Sequence, residues 1–150
     1  MLKIAIGSDH RGYTHKAVIQ QAVTLEIKRI EWIDVGCFSA ERTDYPPFAY
    51  DVVQAIITKK ADVGILLCGS GIGMVIAANR FDKIYAGLAW DKQTAARAKE
   101  EDNVNVLSLP ADYITPEQAV EMVIVWLNAQ FLGDRYQKRI AMIDKWGGLK

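Results

Sequence analysis

Val63-Gly64-Ile65-Leu66-Leu67-Cys68 runs straight into Gly69-Ser70-Gly71-Ile72-Gly73. The first six residues form the most continuous apolar strand in the chain, too short for a core helix and apolar at odd and even positions alike. A strand of that kind is buried on both faces, as in a parallel sheet. The glycines that follow allow a tight turn into a helix-prone segment, Met74 to Asn79.

Working outward, Leu2-Lys3-Ile4-Ala5-Ile6-Gly7 and Ile30 to Val35 read as strands one and two. Ile84 to Trp90 reads as the fourth strand and Val104 to Leu109 as the fifth, interrupted at Pro110. Helical segments lie between them. Tyr13 to Leu25 carries a weak pattern that would bury Ala17, Val18, Gln21 or Ala22, and Leu25. Phe48 to Thr58 shows a clear 3.6-residue period through Phe48, Ala49, Val52, Val53, Ile56 and Ile57. Thr94 to Glu101 is a further helix. Thr115 and Pro116 suit the cap and first turn of another, which would bury Ala119, Val120, Val123, Ile124 and Leu127. The tail from Arg135 to Trp146 is helix-prone, with Ile140 and Ile143 as anchors and a projecting course that suits packing on a neighbouring subunit.

Strand and helix alternating in this way specify an α/β, three-layer sandwich around a five-stranded parallel sheet. Right-handed crossovers leave few topologies, and the flavodoxin-like, Rossmann-type order 2-1-3-4-5 is expected. Ligands then bind at the switch point, outside the carboxyl ends of strands one and three. With 150 residues and no repeat, low-complexity tract or linker, residues 1–150 read as one domain.

Composition narrows the function. Hydrophobic residues make up 51% and charged residues 24%, which excludes a disordered or collagen-like chain. The 18 basic and 18 acidic residues cancel, so no positive field gathers nucleic acid or an anionic membrane. No apolar stretch approaches the ~20 residues of a membrane span. Two cysteines, Cys37 and Cys68, are too few for a disulfide framework, and no leader precedes the first strand. A cytoplasmic setting is expected.

At the switch point, Gly7-Ser8-Asp9-His10-Arg11-Gly12 faces Cys68-Gly69-Ser70-Gly71-Ile72-Gly73. Taken singly, Cys68 reads as a buried thiol and Asp9 as a helix N-cap. Together they place a thiol, a carboxylate and one of two histidines on one crevice. Backbone amides of the glycine turn, with the hydroxyl of Ser70, can hold an anion and favour the thiolate of Cys68. A base beside such donors is suited to removing a proton alpha to a carbonyl and holding the enediolate. A dinucleotide fingerprint would place its glycines after strand one, so a nicotinamide cofactor is disfavoured. The P-loop lysine is absent as well. Arg135 and Arg139, four apart, share one face of a helix and with Lys138 read either as a phosphate clamp or as a solvated basic face.

These residues together resemble the ribose-5-phosphate isomerase B family, which includes the galactose-6-phosphate isomerase subunits. The match covers Ile4 to His10, Asp44-Tyr45-Pro46, Gly64 to Met74, Ile76 to Asn79, Asn105-Val106-Leu107 and Arg135. The resemblance implies that Cys68 moves the proton between C1 and C2 of an open-chain aldose phosphate. Ser70 and the amides of Gly69, Gly71 and Gly73 would form the anion hole. Asp9 and Tyr45 would hold sugar hydroxyls, and His10 would lie near the substrate or its phosphate. It also implies a cofactor-free, metal-free homodimer or homotetramer, with Arg135 and Arg139 clamping phosphate in a neighbour's site.

Three positions depart from the family. Its His-Asn-Asp reads Glu101-Asp102-Asn103, its arginine after the fifth strand reads Asp112, and a histidine after the first clamp arginine reads Tyr136. Glu101 then stands where the family opens the furanose ring and Asp102 where it binds substrate. Either Glu101 acts as acid or base in place of the histidine, with Asp112 turned away from the ligand, or the substrate is a different sugar phosphate, that of a hexose or a modified sugar. A subunit needing a different partner chain, and a sugar-phosphate-binding relative without turnover, are the remaining readings. Ribose 5-phosphate is favoured, because the proton-transfer residues are intact. Cys37 reads as a loop or core thiol, His15 as solvent-facing, and Trp32, Trp90, Trp126 and Trp146 as packing residues.

Overall fold

In the computed structural model, which describes residues 1–149, β1 (Leu2–Ser8), β2 (Ile30–Gly36), β3 (Val63–Cys68), β4 (Ala86–Leu88) and β5 (Val106–Pro110) form one parallel sheet. The helices are α1 (Tyr13–Glu26), α2 (Pro46–Ile57), α3 (Ile72–Ala78), α4 (Lys92–Asp102), α5 (Pro116–Asn128) and α6 (Arg135–Asp144), and a 3-10 turn at His10–Gly12 precedes α1. None of these helices is long and apolar enough to cross a membrane.

Alternation along the central strands builds two cores. Ile4, Ile6, Ile65, Leu67, Leu107 and Leu109 face α1, α4 and α5, meeting Ile19, Val23, Met122, Val123 and Trp126. The intervening Ala5, Leu66, Cys68 and Val106 face α2 and α3, against Val52, Val53 and Met74. Period-two burial on both faces is the reason these strands read as unbroken apolar runs. The α/β class and the single parallel sheet are as expected.

Strand order corrects the sequence reading. The sheet runs β2-β1-β3-β5-β4, so the expected 2-1-3-4-5 has its last two strands exchanged. All of β5 is buried, whereas the three residues of β4 are only half-buried. The long apolar strand pairs on both sides and the short one takes the edge, which limits unpaired backbone. The switch point between β1 and β3 is untouched by the exchange.

Helix α1 also differs. It buries Lys16, Ile19 and Val23, while Leu25, expected inside, is 79% exposed. Lys16 takes the inner position because its ammonium donates to Asp34 Oδ1 at 2.5 Å and to the Cys37 carbonyl at 2.7 Å. A buried charge persists only when paired and hydrogen-bonded in this way. Polarity at position 16 therefore shifts the apparent helix face. At Thr115 the expected cap is present, reinforced by Gln118 in a reciprocal capping box. Helix α6 touches the body through buried Ile140, while Met142, Ile143 and Trp146 remain exposed.

Candidate active site

Cys68 pairs with Pro110, and Ser8 with Leu67, so β1, β3 and β5 end side by side. Beyond Ser8, the amide of Asp9 donates to the Leu67 carbonyl at 3.2 Å. The amides of Ala111 and Asp112 donate to the carbonyls of Cys68 and Gly69 at 2.9 and 3.0 Å. The two loops that the sequence places at the switch point thus meet there, and the β5–α5 loop joins them.

The glycine turn is shaped by contacts a side chain would break. Gly71 has φ of +74°, and a Cβ there would lie 2.5 Å from Leu88 Cδ1. This left-handed residue suits glycine and turns its N–H toward Cys68, whose sulfur accepts it at 3.1 Å. Its carbonyl accepts from the buried Ser108 hydroxyl at 2.8 Å. Cys68 itself is only 5% exposed, on the sheet face toward α2 and α3. A sulfur with an amide aimed at it is a good place for negative charge. Ser70 Oγ accepts from the Ile72 amide at 3.2 Å, which leaves its hydroxyl proton to donate. Of the three amides expected in an anion hole, that of Gly71 faces the sulfur.

Around the turn, Tyr45 caps α2 and is followed by Pro46 and Pro47 in the helix's first positions. Its ring lies on the backbone of Gly73, where a Cβ would fall 2.4 Å from Cζ and 2.7 Å from the hydroxyl oxygen. Gly73→Ala would therefore push the phenol away. We expect the variant to lose about 10- to 100-fold in kcat/KM toward the preferred substrate, as displaced site groups do. Its melting temperature should change little, because the helix-propensity gain of alanine, about 1 kcal/mol, offsets the moved ring. Unchanged kinetics would remove Tyr45 from the site.

Asp9 caps the 3-10 turn, its Oδ1 accepting from the amides of Arg11 at 2.9 Å and Gly12 at 3.4 Å. The N-cap role thus holds at the same edge as Cys68. His10 Nδ1 accepts from the Thr43 amide at 3.2 Å, which assigns its proton to Nε2 and ties the turn to the loop before Tyr45. Asp112 is paired: Arg11 Nη1 donates to its Oδ2 at 2.6 Å. Its charge at the crevice is thereby neutralised by a residue to which the sequence reading gave no role. The only hint was a basic residue directly after Asp9-His10.

Glu101 and Asp102 lie elsewhere in this chain. They end α4, which leads into the amino end of β5. Cys68 sits beside the carboxyl end of β5, a strand that itself spans about 13 Å at ~3.3 Å per residue. Glu101 faces Arg97 at 4.0 Å. Asp102 lines a cavity of about 340 Å³ with Tyr85, Val104, Ile140 and Asp144. Tyr85 donates to Asp144 Oδ1 at 2.6 Å, and burial, then that carboxylate, push its phenol up to about 12. Arg135 and Arg139 stand on α6, which packs on α4, with their guanidiniums 4.8 and 5.4 Å from the Tyr136 ring centre. The structure thus brings Asp9, His10, Tyr45, Cys68, Gly69, Ser70, Gly71 and Gly73 to one edge of the sheet. It places Glu101, Asp102, Arg135 and Arg139 toward the other.

His15, expected in solvent, instead bonds the Ile114 carbonyl through Nε2 at 2.7 Å, with Nδ1 buried and unpartnered. It ties α1 to the loop that carries Asp112. Cys37 is buried, as the packing reading has it.

Comparison with known proteins gives concordant results. The family model described as Ribose/Galactose Isomerase matches residues 4–143. Ribose-5-phosphate isomerase B of Escherichia coli is 39% identical over 143 residues, 95% of each chain. A putative sugar phosphate isomerase of Bacillus subtilis is 36% identical over 146 residues, 97% of each. Among solved structures, ribose-5-phosphate isomerase B from Mycoplasma genitalium with bound ribulose 5-phosphate superposes with a TM-score of 0.89 at 36% identity, covering 97% of this chain and 95% of that one. The type B ribose 5-phosphate isomerase of Trypanosoma brucei superposes with a TM-score of 0.93 at 37% identity, covering 97% and 99%. A family model spanning nearly the whole sequence, relatives above one-third identity and a shared fold lead to one conclusion: this chain belongs to the ribose/galactose isomerase family.

Proposed function

We propose that the protein is an aldose–ketose isomerase interconverting ribose 5-phosphate and ribulose 5-phosphate, with Cys68 as the base. The observation that carries this reading is the Cys68 sulfur lying under the Gly71 amide at the switch point, one strand from Asp9. In the forward direction the thiolate takes the proton from C2 of the open-chain aldose. The electron pair passes to the C1 oxygen, which is protonated to give a cis-enediol. The C2 hydroxyl then releases its proton to solvent, balancing the one taken up at the C1 oxygen. The double-bond electron pair takes to C1 the proton held on sulfur, which exchanges with solvent, as the C2 oxygen becomes the carbonyl. Ser70 and the turn amides stabilise the enediolate charge, and Asp9 and Tyr45 hold hydroxyls, with His10 near the substrate. No cofactor or metal takes part, and the setting is the cytoplasm.

In this reading Glu101, Asp102, Arg135 and Arg139 serve the site of a second copy, in a homodimer or homotetramer. Glu101 opens the ring and the arginines clamp phosphate. Their distance from Cys68 in their own chain supports that assignment. Arg135→Ala should raise KM about tenfold or more while lowering kcat less, because phosphate held equally in ground and transition states is uniform binding. Unchanged KM would return Arg135 to the solvated surface.

Ribose 5-phosphate, allose 6-phosphate and galactose 6-phosphate supplied to the purified protein test the whole reading. Ketose should form fastest from the pentose. Faster turnover of a hexose phosphate moves the substrate, and ketose from none of them leaves a binding protein.

A further inference from the structure

Arg11 and Asp112 reach toward each other from the turn after β1 and the loop after β5, and meet over Gly69. A Cβ on Gly69 would fall 2.8 Å from Arg11 Cδ and 2.7 Å from Asp112 Oδ2. The pair therefore rests on the backbone of the residue next to Cys68. Both side chains are open to solvent, 56% and 39% exposed. Only Nη1 of the guanidinium has a partner among the described residues, so most of its donors are unused. Lys16, the nearby buried cation, is already committed to Asp34 and the Cys37 carbonyl.

We propose that Arg11 is a substrate-binding residue that grips the phosphate of the sugar with its open donors, and that Asp112 is the counter-ion the phosphate competes with. This rests on the sugar-phosphate reading given above. An exposed ion pair is weak and its partners readily exchange. A phosphate presents several oxygens to the planar guanidinium fork and forms shorter, stronger contacts than a single carboxylate oxygen. Until such a ligand arrives, Asp112 neutralises the cation, so a neutral sugar gains nothing from it. On release Asp112 takes Arg11 back, which limits how tightly the product is held. Arg11 is in this way a specificity-determining residue, selecting the phosphate ester over the free sugar.

Calorimetric titration with ribose 5-phosphate, inorganic phosphate and free ribose tests this without requiring turnover. Arg11→Ala should weaken both phosphate ligands about tenfold or more, as loss of a charged hydrogen bond does, and Arg11→Lys should recover part of that loss. Asp112→Asn should tighten both several-fold, and KM for ribose 5-phosphate should follow the same order. Free ribose should be unaffected by either change. Phosphate ligands binding Arg11→Ala as they bind the parent protein, or binding Asp112→Asn more weakly, would overturn the assignment, as would a parent protein that binds neither. Both side chains are exposed, so circular dichroism should find the variants folded. A protein without turnover whose phosphate affinity still follows Arg11 sinks the isomerase reading alone. An active enzyme indifferent to Arg11 sinks only this inference.

Discussion

Cys68→Ala is expected to lower kcat by roughly 10³–10⁴-fold, the upper range for loss of a positioned acid–base group. The proton bound to carbon is the difficult one to move, and the Cys68 sulfur, with the Gly71 N–H at 3.1 Å, is the group at the turn chemically suited to take it. Alanine fills most of the same space, so the sheet should persist. The cost to stability is the unpaired Gly71 amide, about 1–3 kcal/mol. Cys68→Ser separates the two effects. Its oxygen can accept the Gly71 N–H and keep the turn, yet a hydroxyl is a far weaker base than a thiolate. Both variants should therefore be folded, bind ribose 5-phosphate and turn it over slowly. Nuclear magnetic resonance in deuterated water gives a direct readout, because proton transfer through a base introduces deuterium at the C1 position of ribulose 5-phosphate. A variant that retains activity within tenfold, with deuterium still entering, would place the base elsewhere.

What the sequence disclosed follows from how local each signal is. Gly69 to Gly73 was legible because a tight turn, a left-handed residue at Gly71 and close approach of Tyr45 at Gly73 all demand glycine, and glycine is visible without a structure. The strand pattern was legible for the same reason, since period-two burial leaves apolar runs. The positions of β4 and β5 were not. Crossover rules allow either order, and only the burial of all of β5 against the half-exposed β4 decides it. Charge pairing was equally hidden. Lys16 with Asp34, and Arg11 with Asp112, are 18 and 101 residues apart in sequence, so each residue alone reads as a surface charge. Asp112 shows the consequence: read as an isolated carboxylate it repels phosphate, but with Arg11 at 2.6 Å it becomes half of a neutral pair. The resemblance makes Glu101 and Asp102 site residues, but motif matching carries no distance. The direction of α4 sends them to the amino end of β5.

That separation yields the second large effect. If the clamp arginines act in the partner's site, a chain with Cys68→Ala and a chain with Arg135→Ala and Arg139→Ala carry lesions in different halves of a shared site. Each assembled alone should be nearly inactive at low substrate. Co-refolded in equal amounts, half of the dimers become hybrids. In a two-fold symmetric pair, one site of each hybrid then collects every lesion and the other collects none. Activity should return to about a quarter of that of the parent protein. The surface beside the turn is suited to such a contact: Ile72 and Ile76 on α3 are 54% and 62% exposed, and Tyr50 on α2 is exposed as well. Apolar side chains grouped around a site edge are what a subunit interface covers. A site contained within one chain predicts the opposite, since neither parent then has an intact half to lend. No recovery in mixtures shown by light scattering to be dimeric would therefore confine the chemistry to one protomer. Glu101 would then stand away from the reacting carbons, because α4 leads into the amino end of β5 and Cys68 lies beside its carboxyl end, a strand length of about 13 Å.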